Sequence, residues 1–482
     1  MLALVCLHHF MQSAELVRRV EGTWSAKDLH RLEHVCAFAN AHLRTVMRRS
    51  GENYAKHGYE VAVAVCEARK DPSLVLATVL HDLPLCEQGE TLFTKSPLTE
   101  EEQQLSCKMH GLRRLHIDEK TKDLDAFLDA FRTDERLLLL RMAHRLNDVR
   151  HLQRFPIALR RAIARETLHM YGAIAGRMGM QAWRHELEDT CFPIVHPVMV
   201  RQLQQRFLFH KKLDDVCLTH AKHYVHERLL RQDIHCELQG RLKSHYSTYR
   251  KMVLKKRRFE ELTDRLALRI LVEEPMDCYR ALAVVHACMH PIPGKLKDYI
   301  GAPKENGYQS IHTVVYPLPG VTEQPIEIQI RTRAMHELCE FGFAAHGEYK
   351  NALYALDQRP SRVVLLRNLE GLRGEARSPQ QFEQALRKYF RDDHIAVFDG
   401  ENNLLHLRSP ATVLDFVCLA YPRRWKMLKS VRVNGRQQSF DYPLKDGDTV
   451  EVRFGRTVTA ESSWTGLCRH AATRKLVRFG IP

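Results

Sequence analysis

Two acidic residues in the middle of the sequence stand where they could share a metal ion. Glu327 lies in PIEIQIRT (325–332), where isoleucines alternate with polar residues, so a strand is predicted with Glu327 on its polar face. Asp264 comes just before a second predicted strand, RLALRILVEE (265–274). Two neighbouring strands would offer both carboxylates to one magnesium ion, which prefers a few carboxylates together with substrate phosphates. Taken alone, each carboxylate is more often a solvated surface group.

The segments near these acids are basic and suit an anionic ligand. RLKSHYSTYRKMVLKKRR (241–258) contains eight Lys or Arg and no acid. Such a helix can be a solvated face, an RNA-binding stripe or a site for a triphosphate. KLKDYIGAPKENGYQSIH (295–312) places lysines, a glycine-flanked turn and a tyrosine in one loop. That loop predicts a nucleotide cradle with an aromatic platform for a base.

The elements that must position these residues follow from the periodicity of the chain. Residues 1 to about 195 contain long apolar runs with helical spacing, and the helical pattern continues, strongly basic, from about 200 to 258. Two strands, a helix between them (Tyr279 to Met289) and a helix from about Arg333 to Tyr349 then predict an α+β unit. After a polar connector, a hairpin at IAVFDGENNLLHL and two further strands, with NG and DG turns, predict a small β-rich module.

The composition is that of a soluble protein with anionic partners. The formal net charge of +15 favours nucleotides, RNA or an acidic membrane surface as ligands, although a generally basic surface would give the same number. None of the thirteen cysteines forms a C-x-x-C pair, which argues against zinc and disulfide frameworks and favours a reducing cytosol. The start, MLALVCLHHF, is a poor signal peptide, and no stretch approaches the ~20 apolar residues of a membrane span. We therefore expect a cytoplasmic protein without a membrane partner.

Four long motifs resemble the synthetase domain of the RelA/SpoT homologue family in order and spacing. They are GRLKSHYSTYRKM, FEELTDRLALRILV, PIPGKLKDYIGAPKENGYQSIHTVV and IEIQIRTRAMHELCEFGFAAHGEYK. Members of this family make the alarmones ppGpp and pppGpp. The resemblance implies an α+β, nucleotidyltransferase-like domain with a mixed sheet that acts as a GTP/GDP pyrophosphokinase in the stringent response. The loop Lys295-Leu296-Lys297-Asp298 is similar to that of members that also hydrolyse alarmone.

The resemblance also implies a role for each matching residue. Asp264 would hold Mg²⁺, and Glu327 would activate the ribose 3′-hydroxyl of GDP or GTP or share the metal. That hydroxyl attacks the β-phosphorus of ATP, so pyrophosphate is transferred and AMP leaves. Arg241 and Arg269 would sandwich the adenine, and Tyr308 would stack on the guanine. The full sets are Arg241, Lys243, Ser247, Lys251 and Arg269 for ATP, and Lys297, Lys304, Asn306, Tyr308 and His312 for the guanine nucleotide.

RRSGENYAKHGYEVA and TVLHDL resemble the start of the HD-type hydrolase domain of the same family, an all-α bundle. There a His, a His-Asp pair and a distant Asp bind Mn²⁺. The matching positions are His57, His81 and Asp82, with His144 where the fourth ligand, an Asp, is expected. The family's Glu-Asp pair that handles the attacking water is replaced by Leu85 and Cys86. Because a missing acid/base group lowers rates by orders of magnitude, we expect hydrolysis to be absent or weak.

The C-terminal module resembles the β-grasp-like TGS domain that follows the synthetase in long family members. In those proteins it contacts the 3′ end of uncharged tRNA on the ribosome. Here Ala420-Tyr421-Pro422 replaces the usual Ile-His-Ser, which argues against the same contact, although Arg423, Arg424, Lys426 and Lys429 could meet phosphate. The sequence stops at Pro482, so we expect a chain truncated after this domain.

The sequence thus predicts a multidomain protein, with alarmone synthesis as the leading function and two alternatives. The expected segments are an HD-type domain (1–195), a synthetase domain (196–350), a connector (351–392), a TGS domain (393–456) and a C-terminal tail (457–482). The alternatives are a bifunctional synthetase and hydrolase, and a tRNA-directed pyrophosphokinase or RNA-binding regulator. The preference between GDP and GTP, the activating signal and the oligomeric state stay open.

Overall fold

The computed structural model contains two compact units. One is formed by Met1–Lys297 with Ile311–Leu356, and the other by Asp298–Ser310 with Asp357–Pro482. The residues whose structure is described are 14–48, 50–85, 89–113, 134, 136–255, 258–262, 264–304, 306–316, 325–342, 378, 381, 384–385, 394–401 and 403–480. Most of the expected connector, 351–392, lies outside them. Among the described residues, no helix combines the length and the hydropathy needed to cross a membrane.

The N-terminal part of the first unit is helical, as the apolar spacing predicts. Its helices are α1 (Ala26–Leu43), α2 (Tyr54–Ala68), α3 (Pro72–Val79), α4 (Gly89–Thr94), α5 (Glu100–Arg113), α6 (Arg136–Arg150), α7 (Ile157–Glu166), α8 (Gly172–Arg177), α9 (Gln181–Val195) and α10 (Pro197–Leu230). Asn53 and Asp71 cap α2 and α3 by accepting hydrogen bonds from Lys56 N and Leu74 N. Helix α2 is almost wholly buried and packs against α3 and α6, so polar side chains on these three helices face one another in a dry interior.

The basic segment after α10 differs from the prediction. We expected helix throughout 200–258, but the long helix ends at Leu230, and Asp233 turns the chain with a φ of +54°. An edge strand, β1 (Glu237–Leu242), follows, and only then does α11 (His245–Lys255) begin. The strand was missed because its sequence, ELQGRL, has little apolar alternation. It forms because its backbone pairs with a buried neighbour, which outweighs local propensity.

A mixed sheet lies at the centre of this part of the unit. Its strands are β1, β2 (Leu266–Val272), β3 (Lys297–Asp298), β4 (Ile311–Val315) and β5 (Ile326–Thr332), in the order β1-β2-β5-β4-β3. Strands β2 and β5 are parallel, whereas the β1–β2 and β4–β5 pairs are antiparallel. Helix α12 (Pro275–Cys288) begins four residues before the predicted Tyr279, with Pro275 at its start, where a missing N–H costs nothing.

One face of the sheet is apolar and is covered by helices. The face includes Leu266, Leu268, Ile270, Ile326, Ile328 and Ile330, each with 0% exposure, which confirms the predicted alternation. Cys217 and Leu218 of α10 pack against Leu266. Tyr224 of α10 donates a hydrogen bond to the carbonyl of Cys288 at the end of α12, 3.0 Å away. The opposite face carries the polar side chains.

The helix after β5, α13 (Arg333–Phe341), ends at a glycine that the packing requires. We expected it to continue to about Tyr349, but Gly342 adopts a φ of +67°. A Cβ at this position would lie 2.0 Å from the carbonyl oxygen of Met178, in the segment between α8 and α9. Both the backbone conformation and the close approach exclude a side chain. Residues 343–350 lie outside the described part of the chain.

The described part of the second unit contains a five-stranded sheet and two α-helices. The strands are β6 (His394–Asp399), β7 (Leu404–Arg408), β8 (Leu428–Val433), β9 (Arg436–Gln438) and β10 (Thr449–Phe454), in the order β7-β6-β10-β8-β9, with α14 (Val413–Ala420) and α15 (Ala471–Gly480). The predicted hairpin and the two later strands are confirmed. The module does not end at residue 456, however, because Trp464, Cys468 and Val477 lie in its core. The expected tail is therefore part of the fold.

Candidate functional site

The polar face of the first unit's sheet gathers residues from four strands. Residues directly opposite one another on neighbouring strands point to the same face. The register pairs Gln239 with Arg269, Arg269 with Gln329, and Gln329 with His312. Two residues earlier on β5, Glu327 lies between Ala267 and Val314 on this same face. Three neighbouring strands, β2, β5 and β4, thus place an arginine, a carboxylate and a histidine on one face of the sheet.

Glu327 is held as a carboxylate in a mostly enclosed position. The Nδ1 atom of His312 lies 3.3 Å from its Oε1, and Gln329 donates from Nε2 to its Oε2 at 3.0 Å. Burial opposes ionisation, but the hydrogen bond and charge of His312 outweigh it and lower the pKa of Glu327. Asp264 acts in the opposite direction and raises the pKa of Glu327. Leu266, two residues after Asp264, pairs with Ile326 of β5, so the two acids lie near the same ends of neighbouring strands. The structure therefore brings the two predicted acids together.

Asp264 precedes β2 and accepts hydrogen bonds from two lysines. The ammonium groups of Lys243, just after β1, and Lys251, on α11, both donate to its Oδ2 atom. Burial opposes ionisation of Asp264, but the two positive charges outweigh it and lower its pKa. Lys243 is the more enclosed lysine, and burial together with the charge of Lys251 lowers the pKa of Lys243 to about 8. For Lys251 the attraction of Asp264 outweighs burial and raises its pKa.

The two arginines of the predicted adenine site each have a partner that the sequence did not reveal. Arg241 Nη2 lies 3.0 Å from Nε2 of His185, which belongs to α9. Burial, followed by the charge of Arg241, lowers the pKa of His185 to about 3, so this imidazole is neutral and can accept the hydrogen bond. Arg269 lies 3.3 Å from Gln239 Oε1 and 3.6 Å from a carboxylate oxygen of Glu340 on α13.

Glu340 also approaches a third arginine on the same face. Its Oε1 lies 3.6 Å from Arg331, whose Nη2 is in turn 2.9 Å from Nδ1 of His336. Burial and the charge of Arg331 lower the pKa of His336 to about 4. His185 and Glu340 lie more than fifty residues along the chain from Arg241 and Arg269, so no local spacing signals these two contacts.

Ser247 occupies the first turn of α11 and faces another serine. Its Oγ lies 3.1 Å from Ser244 Oγ, and its backbone N–H donates to that oxygen at 3.3 Å. Ser247 and Lys251, one turn apart, thus present donors and a positive charge from one helix, which suits phosphate.

The remaining predicted residues divide between the two units. Lys297 and His312 belong to the first unit, whereas Lys304, Asn306 and Tyr308 belong to a loop of the second unit. Within that loop Tyr308 N donates to Asn306 Oδ1 at 3.2 Å, and the Lys304 ammonium lies 5.6 Å from the centroid of the Tyr308 ring. The loop therefore gathers its tyrosine and lysine on one side, which suits a base and a phosphate.

A second candidate site lies inside the N-terminal helices. His57 of α2, His81 after α3 and His144 of α6 are all buried, and their ligand-capable nitrogen atoms lie within 4.8 Å of one another. Asp82 completes the group, with its oxygens 3.6 Å from His57 Nε2 and 3.4 Å from His81 Nε2. The structure brings together all four residues of the predicted metal set. Three imidazoles and a carboxylate fit a divalent transition metal.

Hydrogen bonds outside this group orient two of its rings. His81 Nδ1 donates to the carbonyl of Thr78 at 2.5 Å. Asn147 donates from Nδ2 to Glu60 at 2.7 Å, so its Oδ1 atom must face His57 Nδ1, 2.8 Å away. Burial opposes ionisation of Glu60, but hydrogen bonds from His151 and Asn147 lower its pKa, which keeps it an acceptor. Both imidazoles therefore direct Nε2 into the cluster, as metal-binding histidines do.

The residues expected at the water-activating positions contribute no acid here. Leu85 is 37% exposed, and Cys86 lies outside the described residues. A nearby acidic group, Glu52, is occupied in another way, because Arg48 and Arg154 both donate to it. Within the described part of the bundle, the carboxylate that belongs to the histidine cluster is Asp82.

Comparisons with known proteins match the regions that contain both sites. A family model described as a region found in RelA / SpoT proteins matches residues 240–353, and an HD domain model matches residues 35–181. A probable guanosine-3′,5′-bis(diphosphate) 3′-pyrophosphohydrolase of Synechocystis sp. is 34% identical over 89% of this chain and 58% of its own length. GTP pyrophosphokinase rsh of Brucella melitensis is 30% identical over 97% of this chain and 63% of its own length.

A solved structure matches a shorter region. The crystal structure of small alarmone synthetase 1 from Bacillus subtilis, bound to its product pppGpp, matches 36% of this chain and 99% of its own at 26% identity and a TM-score of 0.27. The chain spans less than two thirds of the length of the two curated relatives described above. An HD domain followed by the RelA / SpoT region, in the order of the sequence motifs, shows that the chain belongs to the RelA/SpoT family.

Proposed function

We propose that this chain is a (p)ppGpp synthetase, which transfers pyrophosphate from ATP to the 3′-hydroxyl of GDP or GTP and releases AMP. The observation that carries the proposal is the pair of carboxylates formed by Glu327 on the sheet's polar face and Asp264 just before β2. His312 lowers the pKa of Glu327 and so favours its ionised form, and Asp264 accepts hydrogen bonds from Lys243 and Lys251. The name of the Brucella relative, GTP pyrophosphokinase, supports the same reaction.

Glu327 is suited to the proton transfer. Its lowered pKa keeps it ionised at neutral pH, and it would accept the proton of the ribose 3′-hydroxyl as the new bond to the β-phosphorus of ATP forms. The bond between the β-phosphorus and the bridging oxygen breaks, and AMP leaves with that oxygen. His312 would hold the carboxylate in place, because its ring nitrogen lies 3.3 Å from Oε1.

The charged groups around Asp264 would position the triphosphate. Transfer of a phosphoryl group depends mostly on positioning and on neutralising charge. Lys243, Lys251 and the start of α11 supply donors on one side, and Mg²⁺ bound by Asp264 and Glu327 would supply charge neutralisation on the other. Arg241 and Arg269 project from the same sheet face, where their planar guanidinium groups can stack on adenine.

The second unit and the N-terminal helices would have smaller roles. The second unit's sheet module would be a TGS domain, with basic residues that could contact tRNA or the ribosome. The protein would act in the cytoplasm on soluble nucleotides. A bifunctional synthetase and hydrolase is the second candidate, favoured by the buried histidine cluster and by the name of the Synechocystis relative.

The reaction can be tested in one incubation. Tag-free protein is mixed with Mg²⁺, ATP and either GDP or GTP, and the nucleotides are separated by anion exchange. We expect AMP and ppGpp or pppGpp in equal amounts. A matched acceptor, 3′-deoxy-GTP, lacks the attacking hydroxyl and should give neither. Release of AMP without an acceptor product, or no turnover with either nucleotide, would contradict the proposal.

A further inference from the structure

The buried cluster of three histidines and one aspartate differs in its donors from the manganese site that the family resemblance implies. That pattern has two histidines and two carboxylates, whereas here His144 stands in place of the second carboxylate. His144 is not turned away from the cluster: its ring centroid lies 4.9 Å from that of His57 and 4.3 Å from that of His81. His144 is only 4% exposed, so the cluster contains a third buried imidazole.

The protein prepares these imidazoles to bind a cation. Nδ1 of His81 donates to the Thr78 carbonyl, whereas Nδ1 of His57 lies 2.8 Å from Asn147 Oδ1 and 2.9 Å from Arg48 Nη1. Nε2 of both rings is directed towards Asp82, at 3.6 Å and 3.4 Å. Hydrogen bonds of this kind fix the tautomer and the ring orientation of metal ligands. The three donor-bearing segments, α2, the turn after α3 and α6, pack against one another, so the group is assembled by the fold itself.

The donor types decide which cation fits. Neutral imidazole favours Zn²⁺, Co²⁺ and Ni²⁺, whereas carboxylate oxygen favours Mn²⁺ and Mg²⁺. Exchanging one carboxylate for an imidazole also removes a negative charge from the cluster. This exchange weakens the electrostatic attraction on which hard cations depend more than soft ones.

We propose that this cluster is a nitrogen-rich site for a late first-row divalent cation such as Zn²⁺ or Co²⁺, and that His144 sets its preference over Mn²⁺. The site lies apart from the sheet face described for nucleotides. The inference does not depend on the synthetase proposal, because its readout is bound metal and not nucleotide formed.

The test measures a ratio of affinities, because most protein sites bind Zn²⁺ more tightly than Mn²⁺. Tag-free full-length protein is stripped of metal and titrated with Zn²⁺ and with Mn²⁺ against a metallochromic competitor at one fixed pH. We expect one tight Zn²⁺ site that is lost in His81→Ala. In His144→Asp, the ratio of the Zn²⁺ and Mn²⁺ affinities should fall at least tenfold. The control, His30→Asp, makes the same exchange at an exposed histidine and should leave the ratio unchanged.

Two further readouts keep the result interpretable. The visible spectrum of bound Co²⁺ should change in His144→Asp and stay constant in His30→Asp, because only the first exchange alters a ligand. If His144→Asp does not fold, His144→Gln keeps the volume but removes the imidazole, and it should lose Zn²⁺ affinity with its thermal unfolding preserved. An unchanged affinity ratio in folded His144→Asp, or Zn²⁺ binding that survives His81→Ala, would overturn the assignment.

Discussion

Arg241 and His185 are joined across two parts of the first unit by a hydrogen bond of 3.0 Å. Arg241 lies on the edge strand β1, and His185 lies on α9, the helix that leads from the N-terminal bundle towards the sheet. Burial and the charge of Arg241 lower the pKa of His185 to about 3, so the imidazole is neutral. It can therefore accept a hydrogen bond from the guanidinium without repelling its positive charge. The helix thereby helps position a residue of the proposed ATP site.

We predict that His185→Ala weakens ATP use more than guanine-nucleotide use. Loss of a net hydrogen bond of about 1 kcal/mol should raise KM for ATP about fivefold, with little change in KM for GDP. His185→Gln keeps an acceptor and should restore much of the loss. Steady-state kinetics with each substrate varied in turn measures both. Equal rises in both KM values would show that His185 supports the fold in general and not the arginine.

The sheet's two faces could be predicted from the sequence, because alternation depends on nothing beyond the strand period. The isoleucines of β5 are fully buried, and Glu327 lies on the opposite face, as expected. The edge strand β1 could not be predicted, because its polar, glycine-containing sequence carries no period and its pairing with β2 is a tertiary effect.

The partners of the site residues were also beyond sequence reasoning. His185 and Glu340 reach Arg241 and Arg269 only after α9 and α13 pack near the sheet. The module's end was misplaced for a similar reason. Helix α15 is short and basic, and only the burial of Val477 shows that it belongs to the core. In contrast, the cluster around His81 was predicted in full, because its ligands lie in recognisable motifs.

Removing either carboxylate of the sheet face should abolish synthesis. For Asp264→Asn and Glu327→Gln we predict a loss of roughly a thousandfold in kcat, because each neutral side chain forfeits charge where the transition state needs it. Thermal unfolding should change little in Glu327→Gln, whereas Asp264→Asn leaves two enclosed lysines without their counter-charge and should lower the melting temperature. Asp277→Asn is the control, as Asp277 pairs with Arg280 at 2.8 Å on α12 and should be without effect. Synthesis at the wild-type rate in either variant would refute the roles of these carboxylates.

Tyr308 should matter for the guanine nucleotide and not for ATP. Stacking of a base on an aromatic ring contributes ~1–3 kcal/mol, so Tyr308→Ala should weaken GDP binding about 5- to 150-fold. Tyr308→Phe keeps the stacking surface and should bind GDP nearly as the wild type does. Calorimetry with GDP and with a non-hydrolysable ATP analogue separates the two. Parallel losses for both ligands would exclude the tyrosine as a guanine platform.

Alkaline pH should weaken ATP binding through Lys243. Its pKa is lowered to about 8, so the ammonium is charged below that pH and loses its proton above it. A triphosphate prefers the charged form, so KM for ATP should be flat below pH 8 and rise by up to tenfold per pH unit above it. In Lys243→Arg the rise should disappear, because arginine stays charged. Lys251→Arg is the control: the pKa of Lys251 is already raised, so the rise above pH 8 should remain. A rise that persists in Lys243→Arg would assign it to another group.

The N-terminal bundle should hydrolyse ppGpp at a negligible rate, even when Mn²⁺ is supplied. The cluster of His57, His81, Asp82 and His144 can hold a cation, but hydrolysis also needs a group that orients and deprotonates water. Leu85 stands at one of the two positions expected to supply it, and its side chain has no proton to exchange. We therefore predict that this bundle binds a cation but does not catalyse ppGpp hydrolysis.

Restoring the missing acids tests whether their absence is what prevents hydrolysis. Replacing Leu85 by Glu and Cys86 by Asp, together with His144→Asp, should restore measurable ppGpp hydrolysis with Mn²⁺, whereas His144→Asp alone should not. Asp82→Ala added to the triple variant should remove the regained activity, which shows that it comes from this cluster. Separation of the nucleotides after incubation with ppGpp measures pyrophosphate release directly. Robust hydrolysis by the unmodified protein, abolished by Asp82→Ala, would instead establish the bifunctional alternative and show that an acid/base outside the expected pair activates the water.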